Sequence, residues 1–119
     1  MTIRHLAASR RKIGKPSPEA VGLARQLRHV LSMKLGKPVK VMLYGSQARG
    51  AATEESDIDI LVILPNLEKY TLDIAFETAW EVGFKAGKVL SIVPVTGEEM
   101  IMLSASPFFQ AVKSEGISV

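Results

Sequence analysis

Cysteine is absent from the 119 residues of this chain. This absence excludes disulfides, thiolate metal sites and cysteine nucleophiles, and it agrees with a cytoplasmic location. No apolar run approaches the ~20 residues that a membrane-spanning helix needs. No apolar core follows the basic residues near the N-terminus, so we expect neither a membrane span nor a secretory signal.

Acidic residues are scarce in the first third of the chain. Residues 1–40 contain ten Lys or Arg and one acid, Glu19, whereas the rest of the chain contains five bases and eleven acids. Such a basic segment can attract nucleic acid, nucleotide phosphates or an acidic protein surface, or it can be a solvated helix face with a tail. The same 40 residues lack aromatic side chains. Nucleic acid therefore ranks below the other partners, because single-strand binders need stacking platforms.

The length of the chain fits a single domain. Its composition, 47% hydrophobic and 23% charged, is typical of a soluble globular protein. Residues 1–16 carry scattered charges without periodicity, which predicts a basic, flexible N-terminal tail. Ser17-Pro18-Glu19 then has the pattern of a helix start. We therefore place one domain at residues 17–119.

Hydrophobic periodicity predicts that helices and strands alternate along this domain. The expected helices cover 17–35 and 67–86, with two short ones starting after Thr96 and Ser106, and the expected strands cover 40–44, 57–64 and 88–95. This order indicates an α/β or α+β fold, with a small mixed sheet of three to four strands flanked by helices.

Both long helices are predicted to bury one apolar stripe. The stripe of the first helix comprises Val21, Ala24, Leu27, Leu31 and Leu35. The stripe of the second comprises Leu72, Ala75, Phe76, Ala79, Val82 and Gly83. A mostly acidic stripe of the second helix, Lys69, Asp73, Glu77 and Glu81, is interpreted as solvated surface that could also dock a basic partner.

The residues between the first two strands combine a Gly-Ser turn with two acids. The first strand ends at Gly45-Ser46, and Asp57 and Asp59 lie at the start of the second. Because side chains alternate along a strand, the two acids share a face, with Cα atoms roughly 6.5–7 Å apart. Glycine lets phosphate oxygens approach the backbone, and paired carboxylates suit Mg²⁺. The combination predicts a site for a cation and phosphates.

This segment resembles the signature of a known family. Gly45-Ser46-Gln47-Ala48-Arg49-Gly50 followed by Ser56-Asp57-Ile58-Asp59 is similar to the Gly-Ser-x-Ala-Arg-Gly … Ser-Asp-x-Asp signature of the minimal nucleotidyltransferases. These proteins are members of the DNA polymerase beta-like superfamily, and the element order from residue 17 onward is similar as well. The resemblance implies a polymerase beta-like nucleotidyltransferase fold and Mg²⁺-dependent transfer of a nucleoside monophosphate, commonly AMP from ATP, to a hydroxyl group.

The resemblance also implies roles for individual residues. Gly45 and Ser46 would hold the triphosphate, and Asp57 and Asp59 would bind Mg²⁺ as the catalytic carboxylates. Arg49 would contact phosphate or form a structural ion pair to the carboxylate region, and we favour the structural role.

One feature departs from the family signature. The third carboxylate of the superfamily normally comes from the next strand, where this chain has Ser91 at the aligned position and no acid in residues 88–95. A hydroxyl is a poor replacement as a base or a metal ligand. Glu54 or Glu55 could supply the missing group or could face solvent.

Two functions therefore follow from the resemblance. Minimal nucleotidyltransferases are often antitoxins that adenylylate a helical HEPN-type toxin, so the first is an enzyme acting on such a partner protein. The second is a catalytically impaired binding module of the same fold that neutralises its partner by docking. The intact Gly-Ser and Asp-x-Asp motifs favour the enzyme, whereas Ser91 favours the binding module.

Overall fold

Helices and strands alternate up to β3 in residues 14–51 and 57–119, the part of the chain that this computed structural model describes, and two helices follow β3. The helices are α1 (Pro18–Leu35), α2 (Ser46–Arg49), α3 (Lys69–Ala86), α4 (Gly97–Met102) and α5 (Pro107–Glu115). The strands are β1 (Lys40–Tyr44), β2 (Ile58–Leu64), β3 (Leu90–Thr96) and β4 (Ile117–Ser118). No helix in these two ranges combines the length and the apolar character that a membrane span requires.

The four strands form one mixed sheet in the order β3, β2, β1, β4. Strand β1 pairs antiparallel with both β2 and β4, whereas β2 and β3 run parallel. A parallel pair needs a crossover, and α3 provides it. The mixed sheet with flanking helices confirms the predicted fold class. Strand β4 has only two residues, which is too short for a periodicity to reveal.

Strand β2 lies inside the sheet and is covered on both faces. Ile58 and Ile60 belong to the main core together with residues of α1 and α3. Leu61 points the other way and packs with Phe109 and Val112 of α5. Because both faces of β2 are buried beyond its first residues, the acids at its start lie where the core meets solvent.

Three helix starts follow the local sequence signals. The hydroxyl of Ser17 accepts a hydrogen bond from the amide of Ala20 at 3.2 Å. Thr96 and Glu99 form a capping box, with reciprocal bonds of 3.2 and 3.0 Å. The hydroxyl of Ser106 accepts from the amide of Phe109 at 3.3 Å. Each cap satisfies amides that the helix itself leaves without partners.

The buried face of α3 differs from the prediction. Phe76 is 50% exposed, so its assignment to the buried stripe is wrong. The face that contacts the sheet and α1 instead uses small or branched side chains, among them Thr71, Ala75, Thr78 and Ala79. Close packing of α3 on the sheet leaves no room on that side for an aromatic ring.

Smaller differences affect α1 and the element ends. Ala20 and Leu23 are buried in α1, whereas Val21 and Leu35 are only partly buried. Helix α3 begins two residues later than predicted, and β3 is shifted by two residues at its start. The shift arises because the amide of Lys88 donates to the carbonyl of Gly83 and closes the helix end rather than joining the sheet.

Two helical glycines provide a stability prediction. A Cβ at Gly22 in α1 would meet nothing within 4 Å, so Gly22→Ala should raise the free energy of unfolding by about 1 kcal/mol. A Cβ at Gly83 in α3 would lie 2.5 Å from the carbonyl oxygen of Lys88. Gly83→Ala should therefore lower the free energy of unfolding by about 1–2 kcal/mol. Chemical denaturation checks both values, and equal stabilisation by the two changes would contradict the close approach of α3 to Lys88.

Candidate functional site

The turn after β1 depends on glycine. Gly45 has φ of +75° and ψ of −155°, a conformation that is nearly confined to glycine. A Cβ at this position would lie 2.6 Å from Oδ2 of Asp59. Because Gly45 has no side chain, the carboxylate of Asp59 can occupy the space beside this turn. Ser46 begins α2 directly after this contact.

The two acids of the motif lie at the start of β2. Asp57 is exposed and precedes the strand, whereas Asp59 is partly buried within it. Burial raises the pKa of Asp59 above its ordinary value, the negative charge of Asp57 raises it further, and Arg49 lowers it. The two carboxylates therefore interact electrostatically, as expected from their shared strand face.

Arg49 connects α2 to the end of α5. Its Nη1 atom lies 3.0 Å from Oε1 of Glu115, and both side chains are partly exposed. Arg49 also acts on the carboxylate of Asp59 through its charge. The ion pair that the structure describes for Arg49 is with Glu115, so a structural pair with the motif carboxylates and phosphate binding by Arg49 both stay predictions. No sequence signal pointed to Glu115, because the two residues are 66 positions apart.

Tyr44 is a neighbour of the acids that the motif did not identify. It pairs with Asp59 across β1 and β2. Burial raises the pKa of the Tyr44 phenol, and the charge of Asp59 raises it further. The ring packs edge-to-face on Phe108, with centroids 5.5 Å apart. An aromatic wall thus borders one side of Asp59, and the position of Tyr44 directly before Gly45 was the signal that could have revealed it.

Residues 14–17 run across the Gly-Ser turn. The amide of Ser17 donates to the carbonyl of Gln47 at 3.1 Å. A Cβ at Gly50 would overlap the backbone of Gly14 and Lys15, so this crossing also requires a glycine. The last residues of the predicted tail are thus held against the turn. The domain boundary at residue 17 stays a prediction, since residues 1–13 lie outside the described residues.

A serine lies beside Asp59 in the sheet. Ser91 of β3, which is predicted to align with the third carboxylate, is the register partner of Asp59. Within residues 14–51 and 57–119, no group of three or more His or acidic side chains is arranged to hold a metal ion. Glu54 and Glu55 lie outside the described residues. The described part of the site therefore offers two carboxylates, Asp57 and Asp59.

Comparison with known families and proteins gives consistent results. A family model described as a nucleotidyltransferase domain matches residues 24–107. Two curated proteins of Methanocaldococcus jannaschii are similar. The "Putative protein adenylyltransferase MJ1305" is 33% identical over 72 residues, covering 58% of this chain and 49% of that protein. The "Putative protein adenylyltransferase MJ0604" is 42% identical over 65 residues, covering 55% of this chain and 60% of that protein. The chain thus spans about half the length of the curated relatives it matches.

Two solved structures share the fold. One is a crystal structure of a toxin-antitoxin with AMP-PNP, with a TM-score of 0.54 and 19% identity over 78% of this chain and 69% of that chain. The other is a crystal structure of a mutant of the toxin-antitoxin MntA-HpeT, with a TM-score of 0.51 and 20% identity over 76% of this chain and 67% of that chain. These likenesses support the nucleotidyltransferase fold.

Proposed function

Because this chain belongs to the nucleotidyltransferase domain family, we propose that it transfers AMP from ATP to a hydroxyl group of a partner protein. The contact between Gly45 and Asp59 is the observation that carries the proposal. It places the turn proposed to bind phosphate directly against a carboxylate proposed to bind metal. Phosphoryl chemistry of this kind needs both groups in one place, because catalysis depends mainly on positioning and charge neutralisation.

The described residues fit a magnesium site of the proposed type. Asp57 and Asp59 share a face, and the pKa of Asp59 is raised by burial and further by the charge of Asp57. Both would hold Mg²⁺, whose chemistry when bound is to neutralise charge on the phosphates and orient them. Backbone amides of Gly45 and Ser46, with the Ser46 hydroxyl, would hold phosphate oxygens. Asp59 would then be fixed on one side by Gly45 and on the other by Tyr44.

The partner proposal rests on the relatives and the neighbouring folds. The curated relatives are named as protein adenylyltransferases, and the structural neighbours are toxin-antitoxin proteins. We therefore place this chain as the antitoxin of a toxin-antitoxin pair, with a helical HEPN-type toxin as acceptor.

A labelling experiment tests the enzymatic proposal. The protein is incubated with ATP labelled on the α-phosphate, Mg²⁺ and the product of the neighbouring gene. We expect label on the neighbouring protein, and no label when Mg²⁺ is replaced by EDTA. ATP labelled on the γ-phosphate serves as the matched control, because pyrophosphate leaves and carries that label away. Label from the γ-phosphate would contradict nucleotidyl transfer.

A second function is favoured by one observation. Ser91 lies beside Asp59 where the superfamily has a carboxylate, and a hydroxyl neither accepts a proton at neutral pH nor binds Mg²⁺ strongly. The alternative proposal is a binding module that neutralises its partner by docking. If neutralisation survives in Asp57→Asn and Asp59→Asn and no protein is labelled, this alternative replaces the enzyme.

Restoring the carboxylate gives a direct prediction. Ser91→Asp should raise label transfer by about tenfold, because groups that support a metal site are worth 10–100-fold in activity. Ser91→Asn is the matched control, since it adds similar volume without charge, and it should not raise transfer. Initial rates at saturating ATP check the effect. Unchanged transfer in Ser91→Asp would show that a third carboxylate at this position is not limiting.

A further inference from the structure

A continuous aromatic surface lies on the outer side of α3. Phe76, Trp80 and Phe84 follow at four-residue steps and are 50, 64 and 68% exposed. The rings of Trp80 and Phe84 stack with centroids 4.8 Å apart. Val89, just beyond the helix, is 61% exposed. Isolated exposed apolar residues are ordinary, but a contiguous patch of this kind marks an interaction site.

These side chains line a groove of about 490 Å³, called here the α3 groove. Its lining residues are Phe76, Ala79, Trp80, Phe84, Gly87, Lys88, Val89 and Leu90. The aromatic stripe from Phe76 to Phe84 spans about 12 Å along the helix axis. One wall of the α3 groove is thus a helix, and the other wall is the start of β3. A groove with such walls can accept the apolar face of a second helix.

A partner strand that paired with the neighbouring sheet edge would fit this surface less well than a partner helix. Strand β3 is the edge strand on this side of the sheet. Pro94 lies within this strand and cannot donate a backbone hydrogen bond. A continuous ladder with an added strand would therefore be broken within β3. This favours a helix as the occupant of the surface.

Acidic side chains border the α3 groove along the helix. Asp73, Glu77 and Glu81 lie beside the aromatic stripe on the outer face of α3. Asp73 pairs with Lys69 at 2.7 Å and Glu81 with Lys34 at 3.3 Å.

The Lys69–Asp73 pair is largely exposed, so it contributes little and can exchange partners, whereas the Lys34–Glu81 pair is only partly exposed. Glu77 has no ion pair within the described part of the chain. A partner with positive charges beside its apolar ridge would complement this border.

We propose that the α3 groove docks an amphipathic helix of a partner protein whose apolar ridge is bordered by Lys or Arg. The groove and the carboxylates occupy opposite faces of the sheet. The amide of Ile58 donates to the carbonyl of Val89 at 2.9 Å, so the groove adjoins the start of β2. The side chain of Asp59, the next residue, points away from the groove because strand side chains alternate. Docking therefore leaves Asp59 accessible, and the inference does not depend on nucleotidyl transfer.

Trp80 provides the measurement, because it is the single tryptophan of the chain. The full-length protein is titrated with two designed helical peptides that share one leucine ridge and carry either Lys and Arg or Glu beside it. We expect a blue shift of Trp80 emission with the basic peptide, and at least tenfold weaker binding of the acidic peptide. Asp59→Asn should bind the basic peptide as the natural chain does, which separates this test from that of the enzyme.

Variants locate the binding surface. Phe84→Ser should weaken binding of the basic peptide by about tenfold or more, because exposed aromatics carry most of the energy of such contacts. Ile101→Ser is the matched control, since Ile101 is 78% exposed on α4, outside the groove, and this change should have no effect. Glu77→Lys should weaken the basic peptide about fivefold and strengthen the acidic one.

Several outcomes would overturn the proposal. Equal binding of both peptides, or binding of neither, would remove the basic helix as the occupant. Self-association detected by sedimentation, lost in Phe84→Ser and unaffected by the basic peptide, would instead assign the groove to a second copy of this chain. An equal loss of binding in Ile101→Ser and Phe84→Ser would place the contact elsewhere.

Discussion

Asp59→Asn is expected to reduce transfer of AMP at least about 100-fold, because even groups that only support a metal ligand are worth 10–100-fold. Asn keeps the shape of the side chain but loses the charge that would attract Mg²⁺. Burial raises the pKa of Asp59 and the charge of Asp57 raises it further, and the change removes both penalties on the ionised form. Initial rates of transfer from α-labelled ATP measure the effect on activity.

The effect of Asp59→Asn on stability should have the opposite sign. A raised pKa means that folding disfavours the ionised carboxylate, and this cost is present at pH values above the folded-state pKa and is lost as the pH falls through it. At neutral pH, Tm should therefore be unchanged or higher in the variant. Glu98→Gln, at an exposed position at the start of α4, is the matched control and should leave transfer unchanged. A lower Tm with proportionally lower transfer would indicate a structural role for Asp59 instead.

Gly45→Ala is expected to abolish most of the transfer and to lower the free energy of unfolding by about 1–3 kcal/mol. Two causes act together. The backbone conformation of Gly45 is strained for alanine, and the new Cβ would lie 2.6 Å from Oδ2 of Asp59. The carboxylate must then move away from the turn. Urea unfolding and label transfer measure the two effects separately.

Gly36→Ala is the matched control for Gly45→Ala. Gly36 also has a positive φ, +67°, but a Cβ there would meet nothing within 4 Å. The control therefore reports the backbone cost alone, about 1–2 kcal/mol, and should leave transfer unchanged. If both variants lose the same stability and both keep full activity, the contact between Gly45 and Asp59 is not needed for function.

Local signals in the sequence predicted the helix starts and the position of the site. Ser17, Thr96 and Ser106 each cap a helix as expected, because a cap involves only residues within one turn of each other. The bounds of β1 were also predicted correctly. The register that places Ser91 beside Asp59 comes from the pairing of β2 with β3, and the assignment of Ser91 to the third-carboxylate position stays a prediction.

The tertiary structure decided which surfaces meet. The spacing of Phe76 in the sequence fits a buried stripe. The face of α3 that packs against the sheet instead carries smaller side chains, and Phe76, Trp80 and Phe84 are exposed to solvent. The pairing of Arg49 with Glu115 depends on how α5 returns to the turn.

The segment from residue 41 to 64 thus determined by itself the family and the residues proposed for the site, because its motif is local. Only the fold brought the carboxylate of Asp59 against Gly45 and the ring of Tyr44 beside it, since those contacts join separate strands. The acidic, aromatic surface of α3 was likewise decided by packing, which depends on side-chain volume across the whole core.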